Sequence, residues 1–214
     1  LSLSNTSQSL IINTYYGFSC DEVSKLELNN RIDSEYSVEF MMQLVNKISV
    51  TLETSVLHTS SHSFKPSGSS LTSIIESNEP LFGSSGILHL NESHISFHSY
   101  FENSLNDVVI LRLELHISSC SRKNVFFALD ELSRNKHFEN FDAMSLDYFH
   151  RGIKLDDIKE DKDSPLDAYL STKQDTFTIR DSQSLDTFLH LKLIKKRGYF
   201  DTSAVSEYLY KCLI

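Results

Sequence analysis

Within Val108 to Ser118 the residues from Leu111 onward alternate: Leu111, Leu113, Leu115 and Ile117 are apolar, and Arg112, Glu114, His116 and Ser118 between them are polar. Successive side chains on a strand point to opposite faces, so a period of two prescribes a strand with one buried and one wet face. A sheet wet on one side must bury its other side against a second layer. That layer is legible on both sides of the strand. From Val38 the apolar residues Met41, Val45, Ile48 and Leu52 recur at spacings of three and four, which predicts an amphipathic helix with Ser37 as its cap. The run Asn124 to Arg134, with Val125, Leu129 and Leu132, reads as a second helix packing on the sheet. The expected fold class is α+β, a two-layer α/β sandwich in which an antiparallel sheet packs against helices.

Only three Pro and six Gly punctuate the 214 residues, so boundaries are read from periodicity. Ser60 to Ser70, containing Lys65-Pro66-Ser67-Gly68, has the composition of a turn, and Leu71 to Glu76 then reads as a strand. A second turn is expected at Gly83 to Gly86. Lys154 to Asp163 is strongly charged and reads as a solvated loop, while Leu185 to Ile194 and Ala204 to Leu213 carry apolar patterns of undecided type. One domain, 1–214, is expected, with 155–214 as a C-terminal extension.

Hydrophobic residues at 40% and charged residues at 23% are those of an ordinary folded chain and exclude a disordered or fibrous one. Acidic residues outnumber basic ones, 29 to 20, for a net charge of −9, which disfavours nucleic acid and anionic membrane as partners and favours small cationic ligands. No apolar run approaches the roughly 20 residues of a membrane helix. Leu1 to Leu10 is Ser-rich, without a basic start or an apolar stretch, so it is not expected to be a secretory signal, and the missing initiator Met points to a trimmed or partial chain. Cys20, Cys120 and Cys212 are odd in number and lack CxxC spacing, which fits a reducing, cytoplasmic compartment.

Leu88 to Glu102 concentrates hydroxyls, imidazoles and carboxylates, the groups that nucleophilic chemistry needs, because a hydroxyl is a weak nucleophile until a base takes its proton. In a regular strand Ser93 and His98 stand roughly 16 Å apart on opposite faces, so they meet only if the chain bends or another strand intervenes. Read blandly, the same residues make a polar edge strand. His94 and His98, four apart, also offer a metal pair, although no HExxH and no nearby Cys completes a set. Asn91-Glu92-Ser93 fits a glycosylation acceptor, a reading weakened by the absence of a secretory signal. GxGxxG, P-loop and GxSxG motifs are absent, which removes the usual support for dinucleotide, nucleotide and α/β-hydrolase chemistry. Cys120 continues the polar parity of Arg112 to Ser118; a lone Cys there is a packing residue unless its surroundings activate it.

Three segments, in order, are similar to the bacterial S-adenosylmethionine (AdoMet) decarboxylases. Ser85-Gly86 precedes Ser93 by eight residues; Ser93-His94-Ile95-Ser96-Phe97-His98-Ser99-Tyr100-Phe101-Glu102 is close to the family's Ser-His-hydrophobic-x-hydrophobic-His-Thr-aromatic-Pro-Glu; and Arg112 to Cys120 is similar to a strand ending in Ser-Thr-Cys-Gly. Phe64 to Thr72 and Asp147 to Gly152 resemble the longer bacterial branch. The resemblance covers roughly residues 8 to 155. Phe101 replaces the usual Pro, Ser121 the usual Gly, and Glu92 stands where the longer branch has Lys.

The resemblance implies an enzyme that makes its own cofactor, a pyruvoyl group derived from Ser93, by cleaving itself between Glu92 and Ser93 into a β chain of residues 1–92 and an α chain of residues 93–214. His98 would move protons in this processing and Ser85 would hold the scissile carbonyl. The pyruvoyl ketone would form a Schiff base with AdoMet and take up the electrons released with CO₂, for spermidine (polyamine) biosynthesis. Cys120 would return a proton to the α-carbon, and Glu102 would bind the ribose hydroxyls. A homo-oligomer of αβ units and Mg²⁺ as an activator are implied as well. Two alternatives stay open: a homologous pyruvoyl decarboxylase of arginine or ornithine, and a non-processing regulatory paralogue, which Phe101 and Ser121 motivate while the retained Ser93, His98 and Cys120 argue against it.

Overall fold

The computed structural model describes residues 7–19, 22–63, 69–77, 93–103, 108–120, 123–151 and 165–196. The first described strand lies in the middle of the sheet. Strand β1 (Ser7–Ser19) is followed by helices α1 (Glu22–Glu35) and α2 (Val38–Thr51) and by strands β2 (Thr54–Ser63), β3 (Ser69–Ser77), β4 (Ser93–Asn103) and β5 (Val108–Ser119). A 3₁₀ turn (Val125–Phe127) leads into α3 (Ala128–Ser133), then come β6 (Ala143–Arg151), α4 (Pro165–Lys173), β7 (Phe177–Leu185) and β8 (Phe188–Lys195). The eight strands form one sheet in the order β2-β3-β4-β5-β1-β6-β8-β7. Every neighbouring pair is antiparallel.

The expected alternation holds from Leu111 to Ser118: Leu111, Leu113, Leu115 and Ile117 are buried, and Arg112, Glu114, His116 and Ser118 are half-exposed, whereas Val109 and Ile110 before them are both buried. The register carries this parity across the sheet. Leu115 faces Phe97 of β4 and Ile12 of β1, and Ile12 faces Leu146 of β6, which faces Leu191 of β8. These side chains join one core with Ile32 of α1, Met41, Val45 and Ile48 of α2, Leu129 and Leu132 of α3, and Leu166 and Tyr169 of α4. All four described helices therefore contribute to the same face, and the architecture is the expected two-layer α+β sandwich. The opposite face carries mostly polar side chains among the described residues, with a small apolar patch of Tyr15, Ile110 and Ala143 beside Ile194 and a ring pair of Phe149 and Phe188.

Helix α2 begins where the sequence predicts, with the Ser37 hydroxyl accepting from the Phe40 backbone N–H. The second expected helix is split: Asn124 caps the 3₁₀ turn through Phe126 N–H, and the α-helical part starts only at Ala128. Two expectations are corrected. The expected turn at Ser60 to Ser70 overlaps strand at both ends, since β2 runs on to Ser63 and β3 starts at Ser69; 64–68 lie outside the described residues. The polar segment at 93–103 is not an edge strand: β4 is paired on both sides, with β3 and with β5. A half-polar strand is tolerated inside a sheet when only one of its faces is covered. The Gly83 to Gly86 turn, the Lys154 to Asp163 loop and the 204–213 pattern lie outside the described residues.

Leu115 is 1% exposed at the centre of this core. Leu115→Ala is expected to destabilise the fold by about 2–5 kcal/mol through lost transfer energy and a residual cavity. Ser96→Ala, on the polar face, is expected to change stability by no more than about 0.5 kcal/mol. Urea unfolding of the two variants checks the assignment of faces, and equal losses would contradict it.

Candidate functional site

The polar face of β4 and β5 carries candidate functional side chains, among them His94, His98 and His116. The cross-strand pairs are His94 with Ser118, Ser96 with His116, His98 with Glu114, and Tyr100 with Arg112. Directly opposite residues of an antiparallel pair share a face and lie close enough to interact, and diagonal neighbours remain in reach of long side chains. His98 is half-exposed, with its ring stacked on Tyr100 at 5.8 Å between centroids. The Arg112 guanidinium lies 4.4 Å from the Tyr100 ring centroid. The result is a layered stack of imidazole, phenol and cation that fixes the orientation of His98.

Cys120 follows β5 directly and is half-buried. Burial pushes its thiol up from 9.0, with Arg151 pulling weakly the other way. A thiol so placed stays protonated at neutral pH, the state required of a proton donor and the opposite of a nucleophilic cysteine. Because His94 pairs with Ser118, the first residue of β4 lies beside the last residues of β5, where Cys120 follows. Ser93 opens β4 in register with Ile75 of β3. The structure thus brings the backbone of Ser93 and Cys120 to one corner of the sheet.

It does not bring His98 there. Strand β4 runs without a register shift from Ser93 to Asn103, so His98 is roughly 16 Å along the strand from Ser93 and about 20 Å from Cys120. Glu102 occupies the far end of β4, opposite Ile110. The side chains of Ser93 and Glu102, and all of Ser85 and Glu92, lie outside the described residues. Among the described residues no three His, Cys, Asp or Glu are grouped to hold a metal ion, so the His94 and His98 pair acquires no third ligand. No described helix is long and apolar enough to cross a membrane.

Two features of this face escape a reading of the sequence. His116 stands edge-on to His94, with ring centroids 5.0 Å apart at 82°. On the other side of β1, the His190 Nδ1 and Asp147 Oδ1 atoms form a 2.6 Å hydrogen bond between β8 and β6, with Asp181 4.0 Å from the other ring nitrogen and Lys192 3.7 Å from Asp181. Both depend on cross-strand register, for which a single sequence carries no local signal. A cavity of about 120 Å³ lined by Leu170, Lys173 and Phe177 belongs to the α4 end of the molecule, several strands from β4.

Burial is the main cause that pushes His116 below the ordinary value of 6.5, and His94 and His98 add to it. Its own strand presents Glu114 and Arg112, β1 presents apolar Ile11, and Asp147 stands one strand beyond. A depressed imidazole favours folding above the unfolded value and loses that contribution as pH falls through the folded one. The thermal midpoint of the protein is therefore expected to drop as pH is lowered below about 6.5, and His116→Gln to drop less over the same window. Parallel curves for the two proteins would contradict the assignment.

No protein-family model matches the chain. Curated proteins do. An S-adenosylmethionine decarboxylase proenzyme of Hahella chejuensis is 26% identical over 166 residues, covering 71% of this chain and 62% of that protein. The proenzyme of Alcanivorax borkumensis is 24% identical over 167 residues, covering 71% of this chain and 59% of its own length. That of Clostridium perfringens is 25% identical over 221 residues, covering 90% and 79%. The chain thus spans about three fifths of the length of the first two of these relatives. Among solved structures, the adenosylmethionine decarboxylase of Aquifex aeolicus is similar over 68% of this chain and 88% of that one, at 12% identity and a TM-score of 0.37. Several bacterial S-adenosylmethionine decarboxylase proenzymes therefore share sequence with most of this chain, in keeping with the resemblance of its three motifs.

Proposed function

We propose that this chain is a pyruvoyl-dependent S-adenosylmethionine decarboxylase proenzyme that cleaves itself between Glu92 and Ser93. The observation that carries the reading is its similarity, over 71% to 90% of its length, to proteins named as such proenzymes. The sheet register supports it, since the start of β4 and Cys120 meet at one corner. In the first step the Ser93 hydroxyl oxygen attacks the Glu92 carbonyl carbon, the peptide C–N bond breaks, and the freed nitrogen takes up the hydroxyl proton. Removal of the proton on the residue-93 α-carbon then expels Glu92 as a carboxylate, and hydrolysis with loss of ammonia leaves the ketone. The product chains are residues 1–92 and 93–214.

The residues at this corner suit a ketone formed at position 93. The pyruvoyl group supplies an electron sink for loss of the substrate carboxyl, the part played elsewhere by pyridoxal phosphate. Cys120, held protonated by burial, donates the proton that replaces the lost carboxyl group. The resemblance further gives Glu102 the ribose hydroxyls and Ser85 and His98 a part in the self-cleavage; along the unbroken strand β4, Glu102 and His98 stand roughly 30 Å and 16 Å from Ser93, so both roles require β4 to bend. The acidic balance, 29 carboxylates against 20 cations, suits a sulfonium substrate. Decarboxylated AdoMet then feeds spermidine synthesis. Active αβ units associate as homo-oligomers in the cytoplasm, with Mg²⁺ as activator.

The distance of roughly 16 Å along β4 between His98 and Ser93 favours one second reading, a paralogue that does not process itself. Mutants separate the two. Ser93→Ala is expected to leave a single uncleaved chain without decarboxylase activity. Cys120→Ala is expected to cleave normally and to lose at least about 100-fold in turnover, the usual scale for a missing proton donor. Full activity in Ser93→Ala would sink the pyruvoyl mechanism, and a wild-type chain that never cleaves would establish the paralogue.

A further inference from the structure

Of the imidazoles on the β4–β5 face, His94 is the one joined directly to Ser93, and its described ring contact is with His116 across the sheet. His116 is opposite Ser96, so it sits at the level midway between His94 and His98 and within the electrostatic reach of both. We propose that His116 is a positioning residue for self-cleavage, holding the backbone at the start of β4 by its edge-on contact with His94. The inference rests on the self-cleavage reading given above. It adds to Ser85, Glu92, Ser93 and His98 a residue to which the resemblance gives no part in the self-cleavage.

An edge-to-face pair of aromatic rings at this separation is attractive and directional, so it fixes the χ angles of His94 as well as its place. His94 has the Ser93 peptide as its only covalent link toward the cleavage site, and N-to-O acyl transfer needs the hydroxyl, the carbonyl and the peptide nitrogen held in one geometry. His116 is itself held firmly: β5 pairs with both β4 and β1, and its neighbours Leu115 and Ile117 are 1% and 0% exposed in the core. Burial together with His94 and His98 keeps the His116 ring uncharged near neutral pH, so the contact is made between rings that do not repel. The alternative use of the same rings, as a pair of metal ligands, finds no third donor among the described residues.

The test follows cleavage of freshly synthesised full-length chain by denaturing gel and intact mass. His116→Ala is expected to slow the appearance of the two fragments by about tenfold or more, as misplacement of reacting groups does. His116→Phe keeps an aromatic edge without hydrogen-bonding nitrogens and is expected to restore most of the rate, which a general loss of stability would not predict. In a double-mutant cycle, His94→Ala with His116→Ala is expected to cleave no more slowly than His94→Ala alone, because the second residue acts through the first. Wild-type rates in His116→Ala, or additive losses in the double variant, would overturn this inference while leaving self-cleavage standing. A wild-type chain that stays whole would overturn both.

Discussion

The double pairing of β1 is the constraint on which the rest of the molecule depends. Twelve residues of β1 are in register with β5 on one side and nine with β6 on the other. The first strand in sequence thus joins the half of the sheet built from β2 to β5 to the half built from β6 to β8. Its alternate residues Leu10, Ile12 and Tyr16 enter the helix-covered core, so the same strand supplies both the lateral hydrogen bonds and part of the apolar layer. The end of β1 is pinned by the Asp142 carboxylate, which accepts from the Gly17 N–H at 2.8 Å, and by the Asp142 N–H, which donates to the Tyr15 carbonyl. Burial raises the Asp142 carboxyl above its usual range and the Gly17 hydrogen bond offsets part of that.

This arrangement has a bearing on the proposed cleavage. Breaking the chain after Glu92 would place β1, β2 and β3 with α1 and α2 on one fragment, and β4 to β8 with α3 and α4 on the other. Strand β1 would still lie between β5 and β6, and β3 would still pair with β4. Parting the fragments would strip a central strand of partners on both edges and open the apolar core, a cost of the order of unfolding the domain itself. Backbone scission at this site is therefore compatible with an intact fold, and the new chain start is held at the edge of the polar face, beside the end of β5.

Much of the architecture was legible in the sequence because single elements announce themselves through period. The strand at 108–119 and the helix at 38–51 were readable because each keeps one face uniformly apolar along its length. Strand β1 carried no such signal: Ser7-Gln8-Ser9 opens it and Ile11-Ile12 breaks the alternation, although both are resolved once a core lies on one side only. Helix α1 is nearly as polar as a loop, with Leu28 and Ile32 as its buried anchors. The segment at 93–103 looked like an edge because its polar residues are conspicuous, whereas pairing with β3 on one side and β5 on the other places it inside the sheet, with Ile95 and Phe97 buried on the core face. Of the site, parity suggested the polar side for Cys120, but β5 ends one residue earlier, at Ser119, so the alternation does not extend to it. The approach of His116 to His94 and the Asp147 to His190 bond come from register between strands, which no local pattern encodes.

The central claim is that residue 93 becomes a ketone at the start of a new chain. It is tested most directly by the intact mass of the purified protein under denaturing conditions, before and after treatment with a carbonyl-reactive amine. The account predicts two chains, residues 1–92 and 93–214, of which only the second gains the mass of the reagent. A single chain of 214 residues that does not react would contradict it.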